Sequence, residues 1–255
     1  MEGLAEEASL HLAQGYRRMK MRLARSEEYD VAAVRAVRKA IGPTADLMVD
    51  ASMRYNVELA RRVGQVLEEN RVFWFEEPFE PEDVDGFAAL RGTVGVPIAA
   101  GENEFGAQGF RELIRAKAVD IVQPDASRCG GISEVVRVAR MAAEAGLRFA
   151  PHTWSDAVTV VANAHVVAAF PHGITVEVDR TGNPFIDELL EEPLDVCDGM
   201  LRLSDRPGLG ITLNRAVLER YRLADPYAPP EGFYSDMVFG PDWYHPAPAY
   251  VEAQP

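Results

Sequence analysis

Seven short apolar segments alternate with helix-length amphipathic stretches, and each segment ends in an ionisable residue. No other property of the chain constrains its fold as much. The apolar segments are 18–22, 46–50, 72–76, 97–102, 120–125, 147–152 and 174–177. Helices are expected over 4–15, 30–40, 56–70, 82–91, 106–116, 132–145 and 156–169. Several apolar segments lack strict alternation, as expected of parallel strands covered on both faces. Strand–helix alternation at this spacing predicts an α/β protein with a parallel sheet, either doubly wound or closed into a barrel. The 255 residues are close to the roughly 250 that a (β/α)8 barrel uses. One large domain over 1–225 is therefore expected. A tail over 226–255, rich in Pro and aromatic residues, follows it.

The strand ends are Lys20 and Arg22, Asp50, Glu76, Glu102, Asp125, His152 and Glu177, about 23 to 30 residues apart. That is the length of one βα unit, so in a barrel these ends converge on one face. A single acidic strand end is usually a helix cap or a solvated loop residue. Seven in succession are too costly to gather unless they hold a metal or pair with one another. Asp50, Glu76 and Glu102 come from three adjacent strands and offer the hard oxygen ligands that suit Mg2+. The alternative is three separate salt bridges to nearby arginines. Asp125 and His152 come from the next two strands, and a carboxylate beside a histidine fixes its tautomer and raises its basicity, as a general base requires. The alternative is a buried histidine that is merely hydrogen-bonded. His11, His165, His172 and His245 read as structural or exposed, and Cys129 as an inert turn residue.

A formal charge of −14 argues against nucleic acid or an anionic membrane as partner. It leaves a small anionic substrate open, because a metal or a local Lys or Arg reverses the field inside a pocket. No apolar run reaches the ~18 residues of a membrane span, and the acidic start, Met1 to Glu7, is unlike a signal peptide. Two cysteines, Cys129 and Cys197, are too few for a disulfide framework. A reducing cytoplasm is the expected location.

Beyond residue type, the strand ends carry motifs. Val49-Asp50-Ala51-Ser52, Trp74-Phe75-Glu76-Glu77-Pro78, Gly101-Glu102-Asn103, Gln123-Pro124-Asp125-Ala126 with Gly130-Gly131, and Pro151-His152 occur in that order. Pro207-Gly208-Leu209-Gly210 follows. Together they resemble the barrel of the mandelate racemase subgroup of the enolase superfamily, in order from about residue 4 to residue 225. The resemblance implies a TIM-type (β/α)7β barrel, incomplete because the first barrel strand and an α+β capping domain are missing. It implies Mg2+ on Asp50, Glu76 and Glu102, His152 as a base activated by Asp125, and Glu177 as a hydrogen-bonding partner of the substrate carboxylate. Such sites combine a Lys or His base with Mg2+. Many relatives carry Lys-x-Lys on the first of these strands, the second lysine being a base opposite the histidine. Here the motif is Lys20-Met21-Arg22. Arginine stays protonated and is a poor base but a good carboxylate clamp. Racemisation, which needs a base on each face, is disfavoured; Lys20 remains a candidate.

The expected activity is removal of a proton α to a carboxylate, by an acid-sugar dehydratase that forms a 2-keto-3-deoxy product. A sugar-acid lactone cycloisomerase is the alternative, and a racemase comes third. A reading of another class is a non-catalytic truncated barrel subunit. An open sheet edge predicts a homo-oligomer or association with a cap-bearing chain, with disorder near residues 1–20 and after about 225.

Overall fold

The structure, a computed structural model, describes residues 1–223; the boundary at 225 and the tail 226–255 lie outside the described residues. Helix α1 (Glu2–Ala13) leads into β1 (Arg18–Arg22), and five helix–strand units follow. They are α2 (Glu27–Ile41) with β2 (Asp46–Asp50), α3 (Val57–Glu69) with β3 (Val72–Glu76), and α4 (Val84–Arg91) with β4 (Ile98–Ala100). Then come α5 (Ala107–Arg115) with β5 (Ile121–Val122), and α6 (Ile132–Glu144) with β6 (Arg148–Phe149). All six strands pair in chain order, and every pairing is parallel. After α7 (Ala157–Ala169) the chain forms a short helix α8 (Pro184–Asp187) and a hairpin of β7 (Val196–Cys197) and β8 (Met200–Leu201). Helix α9 (Arg215–Arg220) closes the described chain.

Side-chain caps start four of the helices that follow the strands, whereas α5 and α6 begin at Gly106 and Gly131 without one. Ser26, Asn56, Asp83 and Asp156 cap α2, α3, α4 and α7 by accepting hydrogen bonds from free first-turn N–H groups. Two layers of apolar side chains then fix the sheet between helices and an interior. Leu47, Val49 and Phe75 point outward into the larger core with Val34, Val37, Leu67, Phe110 and Val138. Met48, Trp74, Ala99, Ile121 and Ala150 form a second cluster on the concave side, with Phe73 and Ile174 packed against it. The two sets alternate along β2, as side chains on a strand must. Pairing shifts at Leu47/Met48, so that Val72 meets Leu47 and Trp74 meets Met48. Phe73 is the extra residue, and the shift puts Trp74 and Glu76 on the face of Met48 and Asp50.

Two expectations need correction. Residues 174–177 were expected as a seventh strand, but none of them joins a ladder: an isolated parallel bridge pairs Phe149 with Gly173, just before them, and the Ile174 N–H bonds to the Phe149 carbonyl at 2.8 Å. The segment has a sheet neighbour on one side only, and β6 offers it just two residues. Across the other side, side chains make the connection. Arg18 Nη1 donates to the Ile174 carbonyl at 2.5 Å, and Lys20 Nζ lies 2.8 Å from Glu177 Oε1. The sheet thus curves far enough to bring its first strand to its last segment, without backbone pairing between them among the described residues. Disorder was expected near residues 1–20. Instead α1 is a regular helix whose Ala8 is buried, with Leu4 and Leu12 packed on the main core, which satisfies the segment by burial.

At the opposite end of the strands, Arg38 ties α2 to α3. Its guanidinium donates to the carbonyls of Asn70 (2.8 Å), Gly42 (2.8 Å), Ala45 (2.7 Å) and Arg71 (3.0 Å). Gly42 and Asn70 cap the ends of α2 and α3, and Ala45 and Arg71 lie just before β2 and β3. Arg38→Met keeps the aliphatic stem and removes every donor, so it should cost about 3 kcal/mol of unfolding free energy. Urea midpoints for the two proteins measure this; equal midpoints would show that water replaces the guanidinium without loss.

Candidate active site

Three carboxylates meet at the C-terminal ends of the central strands. Asp50 and Glu76 are the last residues of β2 and β3, and Glu102 lies two residues beyond β4. One oxygen from each lies within 4.8 Å of the others, and Asp50 and Glu76 are buried. Each is held from behind. Glu76 Oε2 accepts from Trp74 Nε1 and from Gln123 Nε2, both at 2.9 Å. Asp50 Oδ1 accepts from the Ser52 amide at 2.7 Å, in a turn where Ser52 and Met53 adopt positive φ. Glu102 Oε1 faces the Arg128 guanidinium at 3.6 Å, whereas Oε2 is buried and has no hydrogen-bond donor among the described residues.

The cations of β1 reach into this cluster. Lys20 Nζ is 2.5 Å from Glu76, 2.8 Å from Glu177 and 3.9 Å from Asp50. Arg22 pairs with Asp50 at 3.1 Å, donates to Ser52 Oγ at 2.8 Å, and lies over the Trp154 ring at 5.5 Å. Burial pushes Glu76 up to about 7, against the pull of Lys20 and with the help of the neighbouring carboxylates. Asp50 is buried too, but Arg22, Lys20 and the Ser52 amide bring it below the ordinary carboxylate range. Burial works against the Lys20 ammonium, yet Glu177, Glu76, Asp50 and Glu102 outweigh it and raise its pKa well above the usual value. The carboxylates fit a hard divalent cation: they offer three oxygens, repel one another, and include a buried oxygen with no donor, a costly arrangement otherwise.

Facing them is the histidine. His152 Nδ1 is 2.8 Å from Asp125 Oδ2, and Asp125 Oδ1 accepts from both the amide and the hydroxyl of Ser127 at 2.8 Å. Burial opposes the Asp125 charge, but His152 and Ser127 hold its pKa below the usual value. An ionised Asp125 places the proton on Nδ1 and turns Nε2 toward Glu102 Oε2, 3.4 Å away. Burial disfavours the imidazolium, but Glu102 and Asp125 overcome it and raise the His152 pKa. Glu177 accepts from the Thr153 amide at 3.0 Å through its other oxygen. Despite burial, Lys20 and His152 keep its pKa below the ordinary carboxylate value. All eight strand-end residues therefore belong to one contiguous network.

Other parts of the site are less visible in sequence. Glu77 is buried, and accepts from the Gly101 amide at 3.1 Å and from Asn103 Nδ2 at 3.0 Å, fixing the loop that carries Glu102. Burial, with Glu102 nearby, holds its pKa well above the carboxylate range. Arg128 also donates to Asn103 Oδ1 at 3.1 Å. Trp74 and Gln123 each stand two residues before a strand-end acid, and period-two alternation could have found both. Of the remaining candidates, His165 and His172 meet the carbonyls of Leu209 and Ala139, and His245 lies outside the described residues. Cys129 is buried, and desolvation with Asp125 nearby pushes its thiol up to about 11, so it is unreactive. A groove of about 680 Å3 at the other end of the strands, lined by residues such as Pro97, Lys117 and Arg148, contains none of these groups.

Comparison with known proteins agrees with this architecture. A family model described as "Enolase C-terminal domain-like" matches residues 3–217. D-galactarolactone cycloisomerase of Agrobacterium fabrum is 38% identical over 230 residues, covering 87% of this chain and 61% of the relative. Arabinonate dehydratase of Saccharolobus solfataricus is 33% identical over 223 residues, covering 87% of this chain and 60% of the relative. The crystal structure of L-talarate dehydratase from a Polaromonas species, complexed with Mg and L-glucarate, superposes with a TM-score of 0.77 at 34% identity. That match covers 86% of this chain and 59% of the other. The chain thus spans about three-fifths of the length of these relatives. Among the described residues no helix is long and apolar enough to cross a membrane. By its family match and its strand-end architecture, the chain belongs to the enolase superfamily, in the mandelate racemase group, and corresponds to the C-terminal domain of those proteins.

Proposed function

We propose that this chain is the catalytic barrel of an Mg2+-dependent sugar-acid dehydratase, which removes the proton α to a carboxylate and expels the β-hydroxyl as water. The observation that carries the reading is the orientation of His152: Asp125 stands behind Nδ1, and Nε2 faces the Asp50–Glu76–Glu102 cluster. A cation held by those three residues supplies positive charge against the negative charge that builds on the substrate carboxylate when the α-proton leaves. His152 Nε2 takes that proton, and Asp125 stabilises the imidazolium. As the C–O bond at the β-carbon breaks, the departing oxygen takes the proton back from Nε2 and leaves as water. The resulting enol tautomerises to the 2-keto-3-deoxy acid.

Lys20 carries a proton between Glu76 and Glu177 and serves as the charged donor to the substrate carboxylate, not as a base. With Glu177 ionised, its part is to hold Lys20 in place. Arg22 is occupied by Asp50, Ser52 and Trp154, so among the described residues the face opposite His152 has no free base. That supports elimination over racemisation.

The cycloisomerase relative supports a second reading, in which the same proton transfer opens a sugar-acid lactone and the ring oxygen leaves in place of hydroxide. The two readings separate by mass. The chain, incubated with Mg2+ and a library of aldonic and aldaric acids and their lactones, should give a keto acid lighter than its substrate by one water. A product equal in mass to a lactone substrate would establish the cycloisomerase instead. Mg2+ binding without turnover of any library member, even when a capping domain is supplied, would favour the non-catalytic subunit.

A further inference from the structure

One buried side chain remains unexplained by packing. Asn163 is fully buried in the middle of α7, surrounded in sequence by alanines and valines, where an apolar residue would pack at least as well. An amide there is costly unless all its polar atoms are satisfied, and the partners it has found are informative. Nδ2 donates to the His152 carbonyl at 2.9 Å and to Thr153 Oγ1 at 3.0 Å. Oδ1 accepts from the Ala126 amide at 3.2 Å. One partner segment begins at His152, and the other residue directly follows Asp125. Thr153, in turn, gives its amide to Glu177.

We infer that Asn163 is a positioning residue that sets the His152–Asp125 dyad by joining the two strand-end loops from beneath. The dyad is a single 2.8 Å contact between side chains on different loops. Its length and angle follow from how those loops sit relative to each other. Ser127 fixes the carboxylate within its own loop, but it cannot fix that loop against the one bearing His152. Asn163 bonds the backbone of both, from a helix anchored by the Asp156 cap. The role in catalysis rests on the dehydratase reading above; the role in fixing the dyad does not.

The test follows the dyad directly. In protein labelled with 15N-histidine, the His152 Nδ1–H bonded to a buried carboxylate should give a downfield, slowly exchanging proton. Its disappearance in His152→Gln assigns it among the five histidines. Asn163→Leu, and Asn163→Ser should the first not fold, should broaden or abolish this signal. Val160→Ala, which thins the buried face of the same helix but removes none of the Asn163 hydrogen bonds, should leave it in place. Once a substrate is identified, kcat should fall about 100-fold in the Asn163 variants with KM little changed, as for a reacting group displaced by a fraction of an ångström to an ångström. An unchanged resonance in folded Asn163→Leu or Asn163→Ser, or an equal loss in Val160→Ala, would overturn the assignment. Because the resonance needs no substrate, that result is separate from any failure to find turnover.

Discussion

His152→Asn should reduce turnover at least about 1,000-fold, because a positioned general base is worth 10²–10⁴ and here one residue both removes and returns the proton. Asparagine is close to the imidazole in size near the backbone, and it can still hydrogen-bond Asp125, so the pocket should survive. His152 is not one of the three cluster carboxylates, and Mg2+ affinity measured by calorimetry should therefore change less than about threefold, under 1 kcal/mol. The informative pairing is lost exchange with retained binding. In D2O the parent should wash deuterium into the α-position of recovered substrate wherever proton removal is reversible, and the variant should not. If His152→Asn kept most of its activity, Lys20 would have to act as the base. Lys20→Met would then be the inactive protein, and the single-base elimination would be wrong.

How far the sequence reaches is clearest on the strands themselves. In β1 the Arg-Met-Lys-Met-Arg alternation sends Arg18, Lys20 and Arg22 to the concave face, while Met21 enters the main core. Strand-end chemistry was legible because parallel topology carries every such end to one face. Strand lengths were less so. The segment 97–102 stops at Ala100 because Gly101 adopts φ of 124°, outside the strand region. Pro124 and Pro151 supply no N–H to a ladder, and β5 and β6 end two residues before them. The segment 174–177 fails for want of a neighbour on its far side, a property no local pattern encodes. Second-rank residues such as Glu77 and Asn163 were hidden for a different reason. Their partners include backbone groups of distant loops, and a hydrogen bond to a main-chain group leaves no trace in residue type at the other end.

The other large effect concerns pH, the metal and stability together. In a chelator, the protein should lose several kcal/mol of stability between about pH 5 and pH 8. Burial and neighbouring carboxylates lift Glu76 to about 7 from an ordinary value of 4.5. The folded chain therefore keeps a proton that the unfolded chain releases. The stabilisation is complete below the ordinary value and disappears as pH rises through about 7, worth about 3 kcal/mol for this group alone. Glu77 is raised for the same reason and acts with the same sign. His152 is raised by Glu102 and Asp125 against its burial, and its contribution also fades as pH climbs past its folded value. Asp50, Asp125 and Glu177 are lowered, so their support is intact above the ordinary carboxylate range and is lost only on acidification. They leave the slope between pH 5 and 8 unopposed. Mg2+ should offset much of it, since a cation takes the deprotonated cluster and stabilises the fold by about 2.7 kcal/mol at a hundred times its Kd. Glu102→Gln keeps the shape of the site but removes one anionic ligand. It should retain the chelator slope set by Glu76 and lose most of the Mg2+ stabilisation at pH 8. Urea unfolding at both pH values, with Mg2+ and with chelator, reads all four quantities. A Mg2+ effect of equal size in Glu102→Gln would place the cation elsewhere, and stability that rose toward pH 8 in chelator would mean that the carboxylates do not share one buried site.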